Sequence, residues 1–495
     1  MSTTPGHPSP PPARPARPRV LPAVGPTRPA LSQRLAQLWT TPAQLWGLLG
    51  AVGLSALLVL VSVNSAMNDS RQAFRTVGTD STPSINYALD LYFALSDMDA
   101  AAANYLLVAA YPTPNLSRAD VVGQYEQRRQ VASDRLVSAA QNITYGDRER
   151  RPILAMTAGL QRFDADVARA ELLSDRGDRS GAIAAYREAT DLMQDPRSGL
   201  LKNAMDLANA NHDALTAGYG GARATQGRDA LLVALSGLLL LASLAGLQLF
   251  LARRMRRALN LPAAAATVVA LALLAGALAT LRANDEHLRS AKQDAYDSVY
   301  ALRQARAIAF DANADESRYL ADPQRSQAYE QAFLAKTLQL TTFPQPVTIG
   351  TYDAAMAGAL AALDRGQTPN TDGSFGRALH NITFAGERAA AVATLTAYAR
   401  YQLDDRILRA DATSGRTQEA VRFDTSTAPN DSDGHFNAFD DALGRWIQIN
   451  QSAFDRSVAA GNGNLAGWQL YPIAGALLVV ALAFVGLRPR LGEYN

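Results

Sequence analysis

The sequence predicts an all-α membrane protein in which four transmembrane helices carry two tandem-repeated extracytoplasmic helical bundles. Three observations lead there. Four long apolar stretches are free of charge in their middles, short basic segments flank them, and two long charged regions repeat each other's motifs. The chain has 495 residues, enough for about three folded units.

The spans fall at 45–63, 230–252, 262–281 and 470–487, each close to the ~20 residues a bilayer needs. The first begins too far from the N-terminus, and lacks the small-residue site, for a cleavable signal peptide. Residues 1–68 carry five arginines and no acid. The hairpin at 253–261 carries Arg253, Arg254, Arg256 and Arg257, and the stub at 488–495 carries Arg488 and Arg490 against Glu493. These are positive-inside signatures, so both termini and the hairpin are expected in the cytoplasm of a multi-pass plasma-membrane protein. Trp39, Trp46 and Trp468 sit at span edges, where aromatic rings favour the headgroup zone. Small residues every fourth position in span one (Gly47, Ala51, Ser55) and span three (Ala272, Gly276, Thr280) offer close packing between those two spans.

The tail at 1–43 has ten prolines among its first 29 residues, with P-x-R-P at Pro12–Pro15, Pro15–Pro18 and Pro26–Pro29. It reads as a disordered, polyproline-like segment: a flexible tail, or a docking strip for a cytoplasmic partner. Leu31, Leu35, Leu38 and Trp39 then recur at the spacing of a short interfacial helix.

The regions at 65–229 and 282–467 match in blocks. Asp97-Met98-Asp99-Ala100 with Tyr105 answers to Asp311-Ala312-Asn313-Ala314 with Tyr319. Asn142-Ile143-Thr144-Tyr145 answers to Asn381-Ile382-Thr383-Phe384. The offset grows from 214 to 239 residues across 344–375, where proline and glycine collect. Each half therefore reads as span, bundle, span. Apolar residues recur at three and four, as in Ile85, Leu89, Tyr92, Leu95, Ala102 and Leu106, and in Leu201, Ala204, Ala208, Asn211 and Leu215. That is a helical seam. Breaks near 112–114, 145–147 and 176–181 divide the first bundle into about four helices.

Nothing in the chain resembles a catalytic constellation. There is no cysteine, no pair of histidines at metal-ligand spacing and no phosphate loop, so neither cofactor nor enzyme activity is expected. A net charge of +2 excludes ordinary nucleic-acid binding. The acid pairs Asp164/Asp166 and Asp404/Asp405 read as solvated helix faces. Asn211 and Asn450 lie on bundle seams, where a lone Asn sets register and oligomer state, so self-association is among the expected partnerships. Asp97 with Tyr105, and Asp311 with Tyr319, either close the bundle core or line a polar ligand pocket. The four hairpin arginines determine topology and contact anionic lipid, or also present charge to a partner. The Asn-Ile-Thr turns read as sites where Asn or Thr caps the next helix.

The stretch Pro83-Ser84-Ile85, Leu89, Leu95 and Ala103-Asn104-Tyr105-Leu106-Leu107 resembles the end of the first outside helix in chemoreceptor-type four-helix-bundle sensor domains. Pro83 has no counterpart at Asp297, and the chain lacks the HAMP and output modules of such receptors. Two bundles on four spans without an output domain look like the actinobacterial GlnX-type membrane relay proteins. That resemblance implies an extracytoplasmic solute-binding protein as one partner and a cytoplasmic Ser/Thr kinase as another. The expected function is a transmembrane relay sensing a small molecule such as an amino acid; the alternative is an envelope scaffold without ligand sensing. A transporter is disfavoured, because the spans carry no intramembrane ionisable residue.

Overall fold

The computed structural model describes residues 41–255 and 259–491. It is 86% helical, and no strand occurs among these residues, which establishes the all-α class. An isolated antiparallel bridge joins Thr342 and Asp372. The Pro-rich tail with its interfacial helix, together with Arg256, Arg257 and the last four residues, lies outside the described residues.

Four helical stretches are long and apolar enough to cross a membrane: Pro42–Ala110, Leu200–Arg254, Leu261–Ala321 and Tyr471–Pro489. Three of them far exceed the ~20 residues of a span, because the helix continues without a break into a bundle. In the first, α1 (Thr41–Arg75) passes through a π-helical turn at Thr76–Ser81 into α2 (Thr82–Ala110). In the third, α7 (Leu261–Arg289) passes through a π-helical turn at Ser290–Tyr296 into α8 (Asp297–Ala321). The second is one 56-residue helix, α6 (Leu200–Met255), and the fourth is α15 (Tyr471–Leu491).

In the apolar part the four helices form a ring. There α1 touches α6 and α15, and α7 touches the same two. Val52, Val59, Val233, Leu240, Leu244, Ala270, Ala277 and Val479 fill its interior, while Leu54, Val61, Leu238, Val268 and Leu477 face outward. The Ser62 and Ser236 hydroxyls meet at 2.8 Å between α1 and α6. Helices α1 and α7 sit diagonally and touch less extensively than either touches α6 or α15, and the expected small-residue seam does not form. Gly47 and Ala51 are exposed, and Gly276 instead faces the Trp468 ring. Close glycine contacts are made instead with other helices: Gly237 of α6 receives the Leu274 side chain, and Gly475 of α15 receives that of Leu273. Trp46 is exposed, as an interfacial ring should be, but Trp468 is buried against Gly276 and Tyr471.

The first bundle comprises α2, α3 (Arg118–Gln141), α4 (Asp147–Asp175), the short α5 (Arg179–Gln194) and the lower part of α6. The expected seams are buried, from Ile85 to Leu106 on α2 and from Leu201 to Leu215 on α6. There are five helices rather than four. Asp195-Pro196-Arg197-Ser198-Gly199 interrupts the helix after Gln194, and Asp195 Oδ1 accepts from the Arg197 and Ser198 amides at 2.7 Å each. The second bundle comprises α8, α9 (Ser326–Leu340), α12 (Glu387–Thr413) and α14 (Ser432–Asn464). To these are added α10 (Ile349–Asp364), α11 (Gly373–Leu379) and α13 (Thr417–Asp424). Helix α10 and the start of α11 occupy the stretch in which the motif offset grows.

The Asn-Ile-Thr turns make the same contacts in both bundles. Asn381 Nδ2 donates to Ser298 Oγ on the bundle's first helix at 2.9 Å, as Asn142 does to Ser84. The amide of Thr144 donates to Glu149 at 2.7 Å, and that of Thr383 to Glu387 at 2.9 Å. The buried glutamate, not Asn or Thr, therefore closes the turn, while the asparagine ties it to the first helix. Gly146 (φ 71°) and Gly386 (φ 84°) precede the next helix in left-handed conformations that favour glycine.

Candidate functional site

The two bundles pack side by side through their first helices, α2 and α8. Phe93 meets Phe310 edge-on at 4.4 Å, and Phe310 meets Phe436 of α14 in the same way at 4.7 Å. Farther along, the contact turns polar. Arg318 of α8, fully buried, donates through Nη2 to Asp99 of α2 at 2.8 Å and to Asp311 at 3.1 Å, and it also pairs with Asp315. Lys336 of α9 reaches Asp311 and Asp315 at 2.8 Å each. From the first bundle, Gln194 Nε2 and Tyr92 Oη donate to Asp311 at 2.8 and 3.1 Å. Thr190 donates to Asp99 at 2.8 Å. Burial alone would raise the Asp311 carboxyl, but Lys336 and Arg318 outweigh it and hold the group down at about 2. At the rim of this network Arg187 donates to Asp322 at 2.6 Å and Arg325 to Asp191 at 2.6 Å, again across the bundle boundary.

Beside the network lies a groove of about 280 Å³, walled by α2, α3, α8 and α14. Asp97, Asn104, Arg128, Phe310, Asp433 and Phe436 carry its chemistry; four further amides, Gln124, Gln127, Asn313 and Asn437, extend its polar wall. Arg128 pairs with Asp97 and lies over the Phe93 ring at 4.7 Å. Burial pushes the Asp97 carboxyl up, with Arg128 opposing. Burial, then Asp424 and Asp97, push the Asp433 carboxyl well up. Asn104 Oδ1 is buried without a hydrogen-bond partner.

Of the residues singled out from sequence, Asp97 lines the groove and Asp311 belongs to the buried network next to it. Neither tyrosine lines the groove. Tyr105 donates to Asp175 of α4 at 2.9 Å, and Tyr319 carries the Arg409 guanidinium over its ring at 4.5 Å. Asn450 donates to Glu387 at 2.9 Å, whereas Asn211 donates only to its own helix at Leu207. Arg253 and Arg254 end α6 and are exposed. The pair Asp404/Asp405 is buried, not solvated: Asp405 is held by Arg409 at 2.7 Å and Asp404 by His435 at 2.6 Å. Sequence reasoning passed over Arg318, Lys336 and Asp433. The available signal was Arg318 itself, a cation on the apolar seam where the first bundle has Asn104.

No curated protein and no solved structure matches the chain. Residues 73–220, from the end of α1 through the first bundle into α6, match the model of the family described as the actinobacterial sensor domain, and this likeness supports a sensing and signalling role for the all-helical chain with its four membrane-length helices.

Proposed function

We propose that the chain is a transmembrane relay. Its two bundles face the extracytoplasmic side and respond to a small molecule, directly or through a solute-binding protein, and the response is passed to a cytoplasmic Ser/Thr kinase. The observation that carries this reading is continuity: α1–α2, α6 and α7–α8 each run unbroken from bundle into membrane-length segment. A shift of an ångström or two at the bundle interface is therefore delivered along rigid helices to the far end of the ring. The arginine bias of the short segments supports an outward orientation of the bundles. The matching turn contacts in the two bundles favour an origin by duplication of one span–bundle–span unit.

The test is a distance. Spin labels at Leu249→Cys on α6 and Phe484→Cys on α15, both exposed, report the spacing of the ring's far end in nanodiscs. An amino-acid mixture, with or without an extracytoplasmic extract, is expected to change that distance. An invariant distance, with unaltered kinase-dependent phosphorylation in a strain lacking the chain, would leave the scaffold reading in its place.

A further inference from the structure

We propose that the groove between the bundles binds a small organic cation bearing a primary ammonium group, with Asp433 as its counter-ion. This rests on the reading of the bundles as the sensing part, and it names what they sense.

The argument is one of unmatched charge. Most carboxylates around the bundle interface already have a cation. Asp97 has Arg128, Asp440 has Arg306 at 2.6 Å, Asp90 has Arg135 at 3.2 Å, and Asp311 and Asp315 share Arg318 and Lys336. Asp433 has none. It stands in the first turn of α14, half-buried, on the wall of the groove. The charged groups acting on it are Asp424 and Asp97, both negative. A carboxylate in such a place takes up either a proton or a cation.

The rest of the wall selects the kind of cation. Asn104 Oδ1 is an acceptor without a donor among the described residues, so the incoming group must carry a hydrogen-bond donor, which an ammonium group supplies. The Phe310 and Phe436 rings line the same wall and give the organic part of the occupant an apolar surface beside the charge. Gln124, Gln127 and Asn437 offer amides to the remainder of the molecule. A bare metal ion is not favoured: no cluster of three or more metal-ligating side chains occurs among the described residues, and the other carboxylate of the wall is held by Arg128. The groove touches both bundles, so an occupant bridges α2 and α3 of one to α8 and α14 of the other.

The experiment is calorimetric titration of the full chain in nanodiscs with putrescine and with ethanolamine, using succinate and butanediol as anionic and neutral controls. Binding of at least one amine and neither control is expected. Asp433→Asn, which removes an unpaired charge and should fold at least as well, is expected to weaken binding by about tenfold or more. Asn104→Leu is expected to weaken it less. No heat from either amine at about 10 mM, preference for succinate, or equal binding by Asp433→Asn each overturns the proposal. The readout is binding alone, so a failed relay with intact amine binding would count against the proposed function and not against this site.

Discussion

Arg318 and Asp99 are joined at 2.8 Å across the boundary between the bundles, and neither side chain has measurable exposure to solvent. The contact ties the first helix after one membrane segment to the first helix after another. Asp311 and Asp315 share the same guanidinium, so one cation serves three carboxylates with help from Lys336.

Arg318→Met should therefore be severe. It leaves Asp99, Asp311 and Asp315 buried with Lys336 as the remaining cation, and an uncompensated buried charge of this kind costs about 3–5 kcal/mol. Arg318→Lys should be intermediate, because a point charge cannot form the fork that reaches both helices. Thermal unfolding in nanodiscs reads both. A Met variant as stable as the parent would mean the network is not held together by charge.

Proton uptake at Asp424 gives stability an unusual slope. Burial pushes its carboxyl up to about 7 from an ordinary 3.8, with Ser317 opposing and Asp405 adding. The folded state thus holds a proton that the unfolded chain has lost, and stability falls as pH rises from about 4 to 7, flattening above. Glu316, raised by burial and its acidic neighbours, acts in the same direction. The paired Asp311, at about 2, contributes its opposite slope only below pH 4. The melting temperature is expected to be higher at pH 5 than at pH 8, and Asp424→Asn should reduce that difference.

At the membrane end of the bundles, Gly461 of α14 lies flat against the Phe74 ring of α1, and a methyl group there would collide with the ring. Phe74 is buried and cannot swing aside. Gly461→Ala should cost about 1–3 kcal/mol by forcing the two helices apart. Gly463→Ala, whose added methyl meets nothing, is the control. Comparable melting temperatures for the two variants would rule out close packing at Gly461.

Orientation can be checked because the chain has no cysteine of its own. Ala140→Cys on α3 and Gln327→Cys on α9 are exposed positions, one on each bundle. Both should react with an impermeant maleimide in intact cells. Protection of both, with labelling only after lysis, would place the bundles in the cytoplasm.

The membrane-length helices, the seams and most breaks were legible in the sequence, because apolar periodicity and Pro/Gly punctuation are local signals. The break at 195–199 was equally local: Pro196 and Gly199 mark it. The groove was legible only at Asp97. Asp433 sits in a helical first turn like many solvated acids, and its importance comes from α2 and α8 packing together, a long-range contact that no spacing encodes. The burial of Asp404/Asp405 was hidden for the same reason. Arg409 and Arg406, the cationic partners of Asp405, are near in sequence, but His435, the partner of Asp404, and the helices that cover the pair are not.

The two π-helical turns lie 214 residues apart, at Thr76 and Ser290, where α1 and α7 leave the apolar ring. A wide turn stores one surplus residue in an otherwise regular helix. Letting it relax to α geometry, or slide by one position, rotates the far end by about 100° about its axis. The bundle can then keep its side-chain packing while the membrane segment presents a different azimuth to its neighbours. Twist and piston stroke become separate degrees of freedom, and each span that begins a bundle carries its own swivel.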